Sequence, residues 1–315
     1  MTLRNPTSPA DELVLSPVPK IRCREIGIAD LETIIDLLTA GYQIKEDLHL
    51  GRSSVSLGRR DVWERRIKRL SDHSPPPGFP KYGFLLECNG TPVGAIFTMF
   101  SSTVENGMMK IRCYTTNWYV VPQYRSYAAL LAIRALKYKN VTYLLGTPSE
   151  RVWPILDGLG YVRYCGGRLI AVPALSRQVE RTRVEIASSN IKADHDISSF
   201  EVELLSRHAI YGCVGLICAS ETGKFLFVFH LRRKGRIVPF ARLVYCRDFA
   251  DFIRFAGPIG RFLLRRGYPF VALDADGPIP GLVGKYSNKF PKFFKGPDRP
   301  RLGDTAYSSR IIFDF

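Results

Sequence analysis

One segment, residues 117–131, constrains the fold of this chain more than any other. Its first part, Trp118 to Val121, consists of aromatic and β-branched residues, which strands favour. Pro122 lacks the N–H that a strand ladder needs, so the strand ends there. From Ala128 to Leu136 the residues are mostly strong helix formers with an apolar face. The segment therefore predicts a strand that ends in a short turn and leads directly into a helix.

The turn residues, Gln123 to Tyr127, would lie at the N-terminus of that helix. Free backbone N–H groups and the positive end of the helix dipole meet at such a position, which makes it suitable for a phosphate. An ordinary strand-to-helix turn of an α/β domain could carry the same residues. On this segment alone, both interpretations stay open.

The residues Gln123 to Ala128 resemble motif A of the GNAT superfamily, the Gcn5-related N-acyltransferases. In that family a turn of the form Gln/Arg-x-x-Gly-x-Gly/Ala binds the pyrophosphate of coenzyme A. Gln123, Arg125 and Ala128 match the family pattern, whereas Ser126 replaces the first glycine. The resemblance implies that the residues binding acyl-CoA are Val120, Val121, Gln123, Tyr124, Arg125, Ser126, Tyr127, Ala128 and Ser149.

A second match follows at residues 141–161. Val141 to Gly146 has the pattern of a short buried strand, and a helix is expected to begin near Ser149. The ending Gly160-Tyr161 resembles the second family signature, Asn-x-x-Ala-x-x-x-Tyr-x-x-x-Gly-Phe. Leu156 then takes the position of the tyrosine that commonly protonates the coenzyme A thiolate in the family. Because leucine cannot donate a proton, the usual general acid is missing.

The other elements of the first half follow the order typical of that family. An Asn89-Gly90 turn predicts a hairpin between residues 84 and 100. Residues 110–121 then form a predicted long strand. The resemblance covers roughly residues 20–172.

A similar order of elements returns in the second half. Thr222-Gly223 predicts a hairpin, and Phe240 to Cys246 predicts a third strand. Asp248 is expected to cap a helix that is interrupted at Gly257-Pro258. Phe270 to Asp274 predicts another strand. A last strand is expected at Arg310 to Phe315. Since no motif A turn follows the third strand, we predict a second, degenerate GNAT-like copy. An unrelated α+β domain is the alternative.

These patterns predict an α/β (α+β) protein with mixed, mostly antiparallel sheets flanked by helices. Its length suits two domains. We expect a disordered N-terminus over residues 1–18, a GNAT-like acyl-CoA-binding domain over 19–172, a polar linker over 173–198 and the degenerate domain over 199–315.

The composition excludes several classes of protein. No apolar run reaches the roughly 18 residues of a membrane span, and the N-terminus lacks an apolar signal region. The seven cysteines are scattered without a Cys-x-x-Cys pair, so reduced thiols in a cytoplasmic protein without metal are expected.

The chain is strongly basic, with a net charge of +16. A positive field attracts polyanions, and the candidates are coenzyme A, an acyl carrier protein, tRNA or an acidic lipid surface. Surface arginines that only confer solubility are the alternative. Lys285 to Gly296 interleaves aromatic and basic residues, as a phosphate-binding surface would. A loop with core aromatics and solvated lysines would show the same pattern.

The catalytic residues are predicted from the family resemblance and the needs of the reaction. Acyl transfer to an amine needs a polarised thioester carbonyl, and the backbone N–H of Tyr119 or Val120 is expected to contact it. The candidates for the general base are Glu150, Tyr119 and, through water, Asn117. Each also suits a structural role, because Glu150 can be a first-turn helix residue, Tyr119 a core residue and Asn117 a bulge residue.

Two classes of function stay open. The first is an acyltransferase that moves an acyl group, acetyl being the expected one, from acetyl-CoA or another acyl-CoA to a small amine. An acyl carrier protein or aminoacyl-tRNA is an alternative donor. The second is a binding protein of GNAT-like fold that no longer catalyses.

Overall fold

The computed structural model describes residues 20–47, 58–105, 107–146, 148–178, 180–188, 190–234 and 237–313. The predicted disorder of residues 1–18 lies outside them. The helices are α1 Leu31–Asp47, α2 Arg60–Ser71, α3 Ala128–Ala135, α4 Trp153–Gly158, α5 Ser199–Ala209, α6 Phe249–Arg265 and α7 Ser309–Ile312. None of these helices is long and apolar enough to cross a membrane.

The strands form two sheets. They are β1 Ile21–Glu25, β2 Gly83–Cys88, β3 Thr91–Glu105, β4 Met108–Val120, β5 Val141–Leu145, β6 Val162–Cys165, β7 Gly167–Ala171, β8 Arg183–Ile186, β9 Cys213–Ser220, β10 Gly223–Lys234, β11 Ile237–Cys246, β12 Phe270–Ala275, β13 Gly284–Ser287 and β14 Lys292–Lys295. The predicted α/β class with mixed, mostly antiparallel sheets is confirmed.

The first sheet has the strand order β1-β2-β3-β4-β5-β14-β6. Its first four strands are antiparallel neighbours, and the Asn89-Gly90 turn joins β2 to β3 as predicted. Both turn residues have positive φ, 50° and 83°, which a two-residue hairpin turn requires. β4 and β5 run parallel, with α3 crossing between them.

The second sheet has the order β13-β7-β12-β11-β10-β9-β8. It repeats the arrangement of the first sheet, because an antiparallel hairpin (β9–β10) and a third strand (β11) precede a helix and a parallel strand. The predicted Asp248 cap is present, with its carboxylate accepting from the N–H of Ala250 at 2.9 Å. The tandem arrangement inferred from element order is thus present.

Two strands are exchanged between the halves. β7 precedes residue 172 yet lies in the second sheet, and β14 comes from the second half yet lies between β5 and β6 in the first. The predicted linker over 173–198 contains β8, which pairs with β9. The sheets therefore do not divide at residue 172, and the domain ranges stay a prediction.

Two predicted elements of the second half were wrong. The strand expected from Arg310 on is helix α7, which begins after Ser308 in extended backbone. Helix α6 continues through Pro258, although an interruption was expected there. Gly260 on this helix packs directly against the backbone at Pro173 and Ala174.

One hydrophobic core connects the two sheets. Leu85, Phe97 and Tyr114 of the first sheet belong to the same buried cluster as Val228 and Val244 of the second. Two buried ion pairs also connect the two sheets. Nη1 of Arg112 lies 2.6 Å from Oδ2 of Asp304, and Lys292 pairs with Asp274.

Candidate active site

The parallel strands β4 and β5 separate at one end. Their pairing runs from Ile111 opposite Val141 to Tyr114 opposite Leu144, whereas β4 continues to Val120. Within the described ranges, no backbone segment pairs with β4 on this side beyond Tyr114. The two strands thus leave an opening, which we call the first gap, at the point where the sequence predicts the acyl-CoA site.

A β-bulge shapes the edge of the first gap. Ala95 pairs with Tyr119 and Phe97 with Thr116, so β4 carries one extra residue between these pairs. Asn117 lies in this bulge with φ +51°, a conformation that asparagine tolerates better than most residues. Asn117 was predicted as a bulge residue on the structural interpretation, and the structure places it there.

The bulge determines which backbone N–H group faces the gap. The N–H of Val121 donates to the carbonyl of Val93 on β3 at 2.9 Å. Because the N–H groups of successive strand residues point to opposite edges, Tyr119 also faces β3 and Val120 faces the open side. Of the two predicted contacts to a thioester carbonyl, the geometry favours Val120.

The side chain of Tyr119 lies at the end of β4 and is 6% exposed. It packs directly over Gly41 of α1, where any β-carbon would overlap its ring. Burial raises the pKa of Tyr119, and the positive charge of Arg125 partly opposes this rise. The phenol is therefore neutral near pH 7 and can donate a proton.

Two aromatic residues of the site were not predicted from the sequence. The ring of Tyr42 on α1 lies 5.8 Å from that of Tyr119 and 5.4 Å from that of Trp63 on α2. The hydroxyl of Tyr42 also hydrogen-bonds with the side chain of Asn117. Since aromatic residues on an apolar helix face are usual in a core, no sequence signal distinguishes these two.

The predicted phosphate-binding turn is a 3₁₀ helix, Pro122–Tyr127, which leads into α3. The N–H of Tyr124 donates to the carbonyl of Val121 and that of Ala128 to the carbonyl of Arg125. These two N–H groups are therefore engaged within the turn. Most of its side chains face solvent, namely Gln123, Arg125, Ser126 and Tyr127.

The residues after β5 lie on the far side of the first gap. Ser149 and Glu150 are exposed, and Glu150 begins the short 3₁₀ helix Glu150–Val152. Ser149 has the extended backbone of a cap, but its side chain makes no capping hydrogen bond. Among the described residues, Glu150 makes no hydrogen bond or ion pair with Tyr119 or Asn117. Leu156 is 1% exposed in α4, where it packs in the core.

The corresponding gap in the second sheet is filled by the chain itself. β11 pairs with β12 only up to Arg242, and beyond it the segment 303–305 lies alongside. The N–H of Thr305 donates to the carbonyl of Val244 at 2.8 Å, and that of Cys246 to the carbonyl of Gly303 at 2.9 Å. No ligand could lie along β11 there without displacing this segment.

No protein-family model matches the sequence, and a search of curated proteins gives no match. Among solved structures, a GCN5-related N-acetyltransferase from Kribbella flavida is 13% identical, with a TM-score of 0.51 over 88% of this chain and 71% of that one. The chain has a GNAT-like fold. A GCN5-related N-acetyltransferase from Anabaena variabilis is 10% identical, with a TM-score of 0.51 over 87% of this chain and 72% of that one. The GNAT-like fold thus includes both halves of the chain.

Proposed function

We propose that this protein is an acyl-CoA-dependent acyltransferase that transfers an acyl group, acetyl in the simplest case, to a small amine. The observation that carries the proposal is the contrast between the two gaps. The chain fills the gap of the second sheet, whereas in the first gap β4 continues past Tyr114 without a backbone partner among the described residues. An extended thioester fits such an opening.

The proposed reaction is direct attack on the thioester. The amine nitrogen attacks the carbonyl carbon, whose oxygen accepts a hydrogen bond from the N–H of Val120. As the amide bond forms and the C–S bond breaks, the neutral phenol of Tyr119 donates its proton to the departing thiolate. Glu150 is the candidate to accept the proton that the amine loses, and Asn117 could position a water that relays this proton.

The phosphates of coenzyme A would lie against the 3₁₀ helix and the start of α3. Arg125 is exposed there and makes no ion pair with any described residue, so its guanidinium can pair with a pyrophosphate. Gln123, Tyr124, Ser126 and Tyr127 would line the same surface, with Val121 and Ala128 at its two ends. Ser149 would lie across the gap.

A binding protein without catalysis is the second candidate. Two observations favour it, because the turn uses two of its own N–H groups and Leu156 supplies no acid. The net charge of +16 favours a third candidate, a transferase whose donor is an acyl carrier protein or an aminoacyl-tRNA.

An acyl-transfer assay distinguishes these candidates. The purified protein is incubated with acetyl-CoA and a panel of small amines, and the released thiol and the amide product are measured. We expect thiol release to depend on both enzyme and amine. Arg125→Glu should raise KM for acetyl-CoA roughly tenfold or more, since a charge-assisted contact becomes a repulsion.

Arg134→Glu is the matched control, because it reverses an exposed charge in the last turn of α3, away from the 3₁₀ helix that carries Arg125. It should leave KM unchanged within about twofold. Binding of acetyl-CoA without thiol release for any amine would contradict the proposal and favour the binding protein. Turnover only with an acylated carrier protein or aminoacyl-tRNA would favour the third candidate.

A further inference from the structure

A group of charged side chains lies between the two sheets, on the face of the second sheet that is turned toward the first. In the register, Arg168 on β7 is opposite Asp274 on β12, and Arg242 on β11 is opposite Ala272 on β12. Residues two apart on a strand point to the same face, so Arg168, Arg242 and Asp274 share that face. The opposite face carries a separate apolar core, which includes Leu169.

Helix α7 and strand β14 bring two further cations to this group. Arg310 on α7 is 7% exposed, and its guanidinium lies 5.9 Å from the ring centre of Phe290. The guanidinium of Arg168 lies 4.2 Å from the same ring, so the two arginines meet there. Lys292 on β14 pairs with Asp274. We call Arg168, Arg242, Arg310, Lys292 and Asp274 the cationic cluster.

The cationic cluster has fewer negative than positive charges. Its four cations and one carboxylate leave an excess of three positive charges. Asp274 is engaged by Lys292, while Nε and Nη1 of Arg242 are buried without a hydrogen-bond partner in the part of the chain that the structure describes. Burial and the neighbouring Arg310 and Arg168 lower the pKa of Arg242. An unpaired buried cation is costly unless an anion compensates it.

We propose that the cationic cluster binds a phosphoryl group, carried by free phosphate or by a phosphomonoester. Guanidinium groups present forked N–H donors, and a phosphoryl group offers three acceptor oxygens and nearly two negative charges. It can therefore engage all three arginines. A single carboxylate has two oxygens and one charge, which would leave part of the excess uncompensated.

The cationic cluster comes nearest to the surface beside Phe290. This residue is 37% exposed in the loop between β13 and β14, and Arg168 next to it is only partly buried. The loop interpretation of the segment Lys285 to Gly296 holds in part, and the phosphate-binding interpretation is part of the present proposal. Phe293 fills a core, while Phe290 and Lys292 belong to the rim and floor of the site.

The proposed site lies near Tyr114, where the first gap begins, and away from the far end of the gap at Tyr119. Asp274 acts electrostatically on Tyr114, where the pairing of β4 and β5 ends. Tyr119 lies five residues further along β4, which corresponds to roughly 16 Å of strand. The phosphoryl proposal therefore does not depend on acyl-CoA binding.

Calorimetry and thermal unfolding with inorganic phosphate test this site. We expect phosphate to raise the melting temperature above that in sodium chloride of equal ionic strength and pH. Glycerol 3-phosphate serves as the phosphomonoester. Tighter binding of glycerol 3-phosphate than of inorganic phosphate would identify a phosphomonoester as the ligand, and the reverse order would identify free phosphate. Succinate tests the alternative of a carboxylate ligand.

Arg242→Met is the informative variant and Arg265→Met, on the exposed surface of α6, its control. Arg242→Met should weaken phosphate binding roughly tenfold or more. Without phosphate its melting temperature should not fall, because an unpaired buried charge is removed. A structural arginine would do the opposite, lowering the melting temperature and leaving phosphate binding unchanged.

The proposal is overturned if neither phosphate nor glycerol 3-phosphate stabilises the protein more than chloride does. It is also overturned if succinate binds as tightly, or if Arg265→Met loses as much affinity as Arg242→Met. Arg125→Glu should retain phosphate binding, and Arg242→Met should retain binding of acetyl-CoA. The two proposals can thus fail independently.

Discussion

Tyr119 lies at the end of β4 with its ring and hydroxyl packed against Gly41 of α1, and its pKa is raised by that burial. Tyr119→Phe keeps the packing over Gly41 and removes only the proton donor. We predict that turnover falls roughly 10²-fold while the melting temperature changes little. Because the pKa lies above its ordinary value of about 10, the wild-type rate should not decline below that pH through loss of this proton.

Steady-state kinetics with acetyl-CoA check this prediction. Tyr82→Phe serves as the control, because Tyr82 is a buried phenol just before β2, which β3 separates from β4. Equal turnover of Tyr119→Phe and the wild type would show that the phenol does not protonate the thiolate.

His208 makes the stability of the fold dependent on pH. It is fully buried, its Nδ1 donates to the carbonyl of Leu204 at 2.8 Å and its Nε2 accepts from the N–H of Tyr307 at 3.1 Å. Protonation of His208 would place an N–H at Nε2 directly against the N–H of Tyr307, and the hydrogen bond between them would be lost. Burial lowers the pKa of His208 to about 4. Its contribution to stability is therefore complete above the ordinary value of about 6.5 and is lost as the pH falls toward 4.

Urea unfolding at pH 7 and pH 5 measures this effect. We expect His208 to account for a loss of about 2 kcal/mol in the free energy of unfolding between the two conditions. His208→Gln has no titrating ring, so between these two pH values its free energy of unfolding should fall by about 2 kcal/mol less than that of the wild type. An identical pH dependence in both proteins would contradict the assignment.

At the scale of elements, Arg69 of α2 anchors the short helix α7. Its Nε donates to the carbonyl of Ile312 at 2.7 Å, and its Nη2 donates to those of Ile311 at 2.9 Å and Tyr211 at 3.1 Å. Arg69→Met should lower the free energy of unfolding by roughly 2–3 kcal/mol, because these partly buried carbonyls lose their donor. Denaturant unfolding checks this value against Lys68→Met, an exposed neighbour that should change it by less than about 0.5 kcal/mol.

Local signals in the sequence predicted many of the elements. The Asn89-Gly90 hairpin, the Asp248 cap and the strand–proline–helix segment around Pro122 all form, because their residues have strong local preferences. Helix α7 was missed because a short apolar run has no decisive period. Its helical form depends on contacts with α2, which are far away in sequence.

The candidate site was predictable only in part. The first gap opens beside residues 117–131, the segment for which the sequence predicts an acyl-CoA site, and Asn117 occupies the bulge that its structural interpretation predicted. The 3₁₀ helix over the expected phosphate turn and the packing of Tyr42 could not be predicted, since both depend on how the turn and α1 pack against β4. The cationic cluster depends on the register of three distant strands, which no local pattern encodes.

At the scale of the whole molecule, the exchange of β7 and β14 makes each half depend on the other. A fragment of residues 20–172 would lack β14 between β5 and β6 and would expose the apolar face that contacts Val244. We predict that this fragment shows no cooperative thermal unfolding transition, unlike the full chain. Circular dichroism during heating checks this. A fragment that melts cooperatively near the temperature of the full chain would show that the first half folds alone.

The most direct test of an acyl-CoA site in the first gap is the thermal shift of the full chain with acetyl-CoA, longer acyl-CoAs and free coenzyme A. We predict that at least one of these ligands raises the melting temperature of the wild type and of Arg134→Glu, and that Arg125→Glu loses the rise. No rise with any coenzyme A species, or an undiminished rise in Arg125→Glu, would contradict the proposed cofactor site.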